Sequence, residues 1–278
     1  MGLHATFFRA CLALMAAGAA WAQTIYGPQD GAKYKPVAGK VGGVLRLATI
    51  ADPKSFNPIM AKEVSTTTIT SAVFEGLTRV NGITGQVEPN LAEKWETSAD
   101  GLTWTFYLRK DVTWHDGAPF TAADVVFTYT RLIDNDDHPN SSRDVLSVGG
   151  KFPKVTAVDP HTVQFVTPTR YAPFLMAVGT EILPKHKLEK LVNEGKFASA
   201  WGLDTDPKEI VGTGPYMLSR YLAGQRVTLR RNPHYWRKDS AGQRLPYIEE
   251  LVYLIVQNED VARLKFDSGE IDEYAVRG

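Results

Sequence analysis

The sequence predicts a mixed α/β protein with a β-rich middle section, and three observations carry that prediction. Leu102, Trp104, Phe106 and Leu108 alternate with Thr103, Thr105 and Tyr107, the two-residue period of a strand with one buried face. Thr121 then precedes Ala122, Ala123 and Asp124, an N-terminal helix signal, and Val125, Val126, Phe127, Tyr129 and Leu132 continue it as an apolar helical run. Glu250 to Val256 reads as a strand dense enough in apolar residues to be buried.

The other elements follow in order. Gly42 and Gly43 open a strand over Val44–Ile50, and Asp52-Pro53 and Asn57-Pro58 mark turns. A helix starts within Ser65–Phe74, where early hydroxyls are placed to cap free amides and Ile69, Val73 and Leu77 share a face. Leu77–Val80 and Gln86–Glu88 flank Asn81-Gly82 as a hairpin, and Lys94–Thr97 leads through Asp100-Gly101 into the alternating strand. Asn135 to Ser142 is a polar loop. Val155–Val158 and Thr162–Val166 form a hairpin around Asp159-Pro160. From about residue 175 the character becomes mixed α/β. Pro184–Val192 is a helix with proline near its first turn, Gly212–Tyr216 a tight glycine turn entering a strand, and Arg226–Arg231 a further strand. A helical run ends at Gly269, and Ile271 is expected to begin a strand.

Composition narrows the function classes. The 278 residues are 44% hydrophobic and 22% charged, a globular balance. Lys plus Arg equals Asp plus Glu at 31 each, so nucleic acid, which needs a concentrated positive field, is not the expected partner. Residues 1–22 read as a secretory leader: Arg9 gives the charged region, Ala10–Ala20 the short apolar region, and Ala20 and Ala22 the small residues before cleavage. The apolar run is too short to span a bilayer. The single cysteine, Cys11, lies inside it, so the mature chain has no disulfide, and an exported cysteine-free protein fits the bacterial periplasm. Residues 23–42 read as a linker punctuated by glycine and proline.

Catalytic motifs are missing from the sequence. There is no Gly-x-Ser-x-Gly elbow, no His-Glu-x-x-His helix and no P-loop, and the six histidines lack ligand spacing. No metal site and no cofactor is therefore expected. His115-Asp116 is the best catalytic pair by eye, but its Asp-Gly setting reads better as a strand-to-helix turn. Gly212-Thr213-Gly214 resembles a phosphate cradle, yet Pro215 removes a donor, and a structural turn is preferred. Arg230–Lys238 interleaves cations with Tyr235 and Trp236. Base stacking is weighed there against a strand ending in an Asn-Pro turn with both aromatics packed as a core plug, and the second is preferred.

Several strings taken together carry a resemblance. Phe74-Glu-Gly-Leu77, Pro89–Trp95, Asp100–Phe106, Leu108–Lys110, Trp114-His-Asp-Gly117, Phe120–Phe127, Gly212–Tyr216, Arg231–Trp236 and Ser268–Asp272 follow one another at the spacing of the family 5 extracellular solute-binding proteins. These are the oligopeptide- and dipeptide-binding receptors of ABC importers. The resemblance covers the chain from about Gly43. It implies a type II periplasmic-binding-protein clamshell of α/β lobes, with parent first-lobe segments at 43–76 and 179–270, an inserted β-rich subdomain at 77–178, and a crossover to a second lobe at 271–278. It also implies a peptide or related small solute as ligand, permease subunits in the inner membrane as partners, and no enzymatic activity.

The ligand wall implied by position is the segment after Asn57-Pro58, comprising Lys62, Glu63, Val64, Ser65 and Thr66. Its backbone is expected to pair with a peptide main chain. Glu63 and Lys62 are read either as contacts to a ligand amine and acid or as solvated charges at a helix entry. Arg143, on the loop after Asn140, is a further candidate. The second lobe and the return to the first lie outside the sequence, so the expectation is a truncated fragment with impaired binding. The alternative is a standalone interaction or chaperone-like lobe, or half of a split receptor.

Overall fold

The computed structural model describes residues 39–82, 84–138 and 140–274. The leader and residues 23–38 of the linker lie outside them. The described end of the linker is anchored, since the Gly42 N–H donates to the Tyr247 carbonyl at 2.8 Å.

The first sheet joins the two ends of the described chain. Strand β1 (Val44–Thr49) pairs in parallel with β10 (Glu250–Ile255), which pairs antiparallel with β9 (Arg226–Arg231), and β9 with β8 (Tyr216–Leu222). A parallel pair needs a long crossover, and here everything from residue 50 to 249 serves as one. The expected strand at Ile271 is not formed. Residues 271–274 have no regular structure, and Asp272 instead seals part of the open edge of β1. Its N–H donates to the Arg46 carbonyl at 2.8 Å, and the Arg46 N–H donates to its carboxylate at 2.7 Å. That satisfies backbone groups an edge strand leaves unpaired.

Helix α1 (Val64–Val73) follows β1. Its N-cap is Glu63, which makes no side-chain cap bond, so the expected hydroxyl capping does not occur. Thr66 Oγ1 instead accepts from the Lys54 N–H at 2.9 Å, tying the preceding loop to the helix. Ile69 and Val73 turn inward as their spacing predicts.

The middle section is β-rich. Strands β2 (Thr78–Val80) and β3 (Val87–Pro89) form a small hairpin. Strands β4 (Ala92–Thr97), β5 (Thr103–Leu108), β6 (Lys154–Asp159) and β7 (Thr162–Val166) form an antiparallel sheet in the order β4-β5-β7-β6. Phe106 and Phe165 meet edge-on at 5.5 Å, and Phe174 packs on Phe165 at 5.6 Å. Tyr129 closes the cluster at 4.9 Å from Phe165. Such pairs add about 0.5–1.5 kcal/mol each beyond area burial.

Helix α2 (Ala122–Phe127) runs on as a π-helical segment, Thr128–Ile133. The buried Asp124 explains two helix starts. One oxygen accepts from the Thr121 N–H at 2.9 Å, in the capping box that starts α2, and the other from the Lys185 N–H at 3.0 Å, at the start of α5 (Lys185–Asn193). The predicted polar loop ends early, at Asn140, whose side chain accepts from the Arg143 N–H and caps α3 (Ser141–Leu146). A short α4 (Phe174–Ala177) precedes α5, and α6 (Glu259–Asp267) starts from an Asn258 cap.

Candidate functional site

Two segments cross where the β-rich section meets the first sheet. The Ile182 N–H donates to the Glu75 carbonyl at 2.9 Å, and the Leu77 N–H to the Val178 carbonyl at 3.1 Å. Gly76 permits the approach, because a Cβ there would lie 2.2 Å from the Gly179 carbonyl oxygen. Beside the crossing lies a cavity of about 380 Å³, whose polar lining includes Ser71, Glu75, Arg79, Asn90, Glu181 and Tyr235. Its size and mixed lining suit a small solute or one residue of a longer one.

The buried residue Glu75 is part of that lining. The Tyr235 hydroxyl donates to one oxygen at 2.8 Å and Trp236 Nε1 to the other at 3.1 Å. Burial pushes the Glu75 pKa above the usual carboxylate range, while the two donors and the nearby Arg237 charge oppose the rise. The indole of Trp236 carries Arg109 and Arg237 over its ring at 4.0 and 4.8 Å. Arg109 Nε donates to the Asn90 carbonyl at 2.7 Å, and Arg237 Nη2 to Asn90 Oδ1 at 3.3 Å. The basic-aromatic run is thus a buttress between the β-rich section and the first sheet. With guanidinium groups on its ring and only 7% exposure, Trp236 offers no platform for a base.

His115 is a second structural knot. Its Nδ1 accepts from the Gly212 N–H at 3.0 Å, and its Nε2 faces the Gly214 carbonyl at 3.1 Å, which fixes the Nε2–H tautomer. Burial pulls its pKa down to about 4, so the ring is neutral. Asp116 turns away to His186, 2.8 Å from Nε2. His115 and Asp116 therefore do not form a dyad. The Gly212–Gly214 turn is structural too: the Gly214 N–H donates to the Val73 carbonyl at 2.9 Å. Among the described residues no group of three or more His, Cys, Asp or Glu could hold a metal ion, and no helix is long and apolar enough to cross a membrane.

None of the predicted ligand residues lines this cavity; the segment meets it only through Lys62, whose partner Glu181 is on its wall, and its conformation is corrected. Lys62 and Glu63 are non-helical, but Val64, Ser65 and Thr66 form the first turn of α1. A helical turn points its backbone groups along the axis, so these three residues cannot add to a ligand as a strand. Lys62 Nζ pairs with Glu181 Oε2 at 2.8 Å on the cavity wall. Glu63 and Val64 are exposed, whereas Ser65 and Thr66 are buried. The loop before them is set by Trp201. Its carbonyl accepts from the Phe56 N–H at 2.8 Å and the Ser55 hydroxyl at 3.1 Å, with the Trp201 backbone at φ 58°, a conformation uncommon outside glycine. Arg143 lies on α3 rather than on a loop. Its guanidinium is held by Asp134, at 3.2 Å, and by Asp136.

Sequence reasoning singled out neither Glu75 nor Glu181. Glu75 carried a usable signal, a carboxylate between apolar Phe74 and Leu77 just past a buried helix face. Glu181 carried none, since its meaning comes from Lys62, 119 residues away.

The mixed sheet, the β-rich section and the cavity at their crossing define a lobe of a type II periplasmic binding protein. Residues 86–277 match the bacterial extracellular solute-binding proteins, family 5 Middle, and the chain belongs to this family. It is 32% identical over 272 residues to a probable ABC transporter-binding protein of Deinococcus radiodurans, covering 95% of this chain and 45% of that one. It is 32% identical over 243 residues to the periplasmic oligopeptide-binding protein OppA of Salmonella typhimurium, covering 80% and 41%. The crystal structure of the ABC transporter substrate-binding protein CtaP of Listeria monocytogenes superposes with a TM-score of 0.68 at 32% identity, over 84% of this chain and 44% of that one. The chain thus spans less than half the length of these relatives.

Proposed function

We propose that the chain supplies the first-lobe wall of the solute-binding component of an ABC importer for peptides or a related small solute. In this reading it is exported to the periplasm by the leader at residues 1–22 and passes its solute to permease subunits in the inner membrane. The observation that carries the reading is the solvent-accessible cavity at the chain crossing of a family 5 lobe, with the polar lining of Ser71, Glu75, Arg79, Asn90, Glu181 and Tyr235. The kinship to an oligopeptide-binding protein favours peptides within the solute class. The proposed organisation keeps parent segments at 43–76 and 179–270, with the β-rich subdomain at 77–178 between them. The proposed ligand contacts are the side chains of Lys62 and Glu63 and the surface of α1's first turn, Val64 to Thr66. Arg143 joins them only by exchanging Asp134 or Asp136 for a ligand carboxylate.

The test is an NMR titration of the chain with tri-alanine at millimolar concentration, with maltose as the comparison. Saturable shifts at residues 62–66 and around Glu75 with the peptide but not the sugar are expected. Release of free alanine that depends on His115 or Asp116 would overturn the receptor reading, as would equal response to both probes.

A further inference from the structure

The charged groups around the cavity are unevenly paired. Lys62 and Glu181 meet at 2.8 Å with their side chains only 32% and 18% exposed, so water screens the pair incompletely. Glu181 is not free to wander, because its neighbour Ile182 is bonded through its N–H to the Glu75 carbonyl. Arg79, the cation lining the cavity, is likewise held by a carboxylate, that of Glu88. Glu63 differs. Like Lys62 it is exposed, but its side chain makes no cap bond and it has no ion-pair partner among the described residues. Lys62 and Arg79 are each paired with a carboxylate, the buried Glu75 carboxylate is held by Tyr235 and Trp236, and Glu63 has no such partner.

We propose that Glu181 sets the charge preference of this wall: by holding Lys62 it leaves Glu63 uncompensated, so solutes presenting an ammonium group are favoured there over solutes presenting a carboxylate. The assignment rests on residues 62–66 being ligand contacts. Glu181 acts through Lys62 and is a specificity-determining residue, with no requirement that it touch the solute. A solute carboxylate reaching Lys62 must compete with Glu181 at short range, whereas a solute ammonium finds Glu63 unopposed.

The experiment is an NMR titration with tri-lysine, tri-alanine and tri-glutamate on the chain and on Glu181→Gln, Lys62→Gln and the double variant. The chain should rank tri-lysine above tri-glutamate. Glu181→Gln keeps a hydrogen-bond acceptor for Lys62 and removes the charge, so the ratio should move towards tri-glutamate by roughly fivefold. Lys62→Gln should move it the other way, and the double variant should restore the original ranking. Opposite movements of two variants at one ion pair are not what a general loss of stability produces. If the peptides bind but all four proteins rank them alike, Glu181 does not set the preference, while the peptide reading stands. If no peptide moves any signal at the wall, the peptide reading falls and this assignment with it.

Discussion

His115 occupies a position that demands an acceptor and a donor from one side chain, and only the neutral ring supplies both. In the unfolded chain its pKa returns to about 6.5, whereas in the fold burial holds it down to about 4. Between those values the unfolded state binds more protons, so stability falls with falling pH. The contribution is complete above 6.5 and is lost as the pH drops towards 4. Part of the residue remains accessible to water, so the effect is about 1–3 kcal/mol. Urea unfolding at pH 7 and at pH 4.5 checks it. The chain should lose more stability on acidification than His115→Gln, since Gln also accepts and donates but does not titrate. Equal losses would mean the ring is not clamped as described. Carboxylates titrate in both proteins and cancel in the comparison.

The glycine turn that His115 grips shows the same logic at the level of elements. Gly212 and Gly214 sit against the end of α1 so closely that a Cβ would lie 1.9 Å from the Val73 carbonyl oxygen and 2.6 Å from that of Ala72. Backbone cannot yield as a flexible side chain can, so Gly212→Ala should cost about 2–4 kcal/mol. Gly224, at φ +66° with open space around it, is a control in which only the backbone objects, at about 1–2 kcal/mol. Thermal unfolding should place Gly212→Ala well below Gly224→Ala, and the reverse order would show that α1 and the turn do not press on each other. Elements were legible in the sequence where their signals are local. The alternation through Trp104 and Phe106 found β5, Asn81-Gly82 and Asp159-Pro160 found two hairpins, and Thr121 with Asp124 found α2. The run from Ser65 reads correctly as helix, but its hydroxyls do not cap it, and the position-based expectation of strand-like pairing along 62–66 fails because Val64 to Thr66 already lie in that helix. Ile271 misled because one β-branched residue after a helix does not make a strand without a partner. The parallel pairing of β1 with β10 and the Lys62–Glu181 contact left no local trace, because each depends on residues more than 100 positions apart.

At the scale of the whole molecule, the cavity decides how well these residues hold a solute. Tight binding of a small polar solute requires most of its surface to leave water and its polar groups to be met on several sides. In the proposed reading the chain supplies one wall: Glu75, Arg79 and Glu181 line a cavity open to solvent, and Glu63 and Val64 are exposed. A solute lying against that wall keeps its outer face hydrated, and each polar contact replaces a bond to water for little gain. The polypeptide of these 278 residues should therefore bind tri-alanine with a Kd in the millimolar range or weaker, about 4 kcal/mol. Titration calorimetry measures this directly. A micromolar Kd would require about 4 kcal/mol more, which no single open wall provides, and would show that the solute is enclosed by a conformation other than the one described.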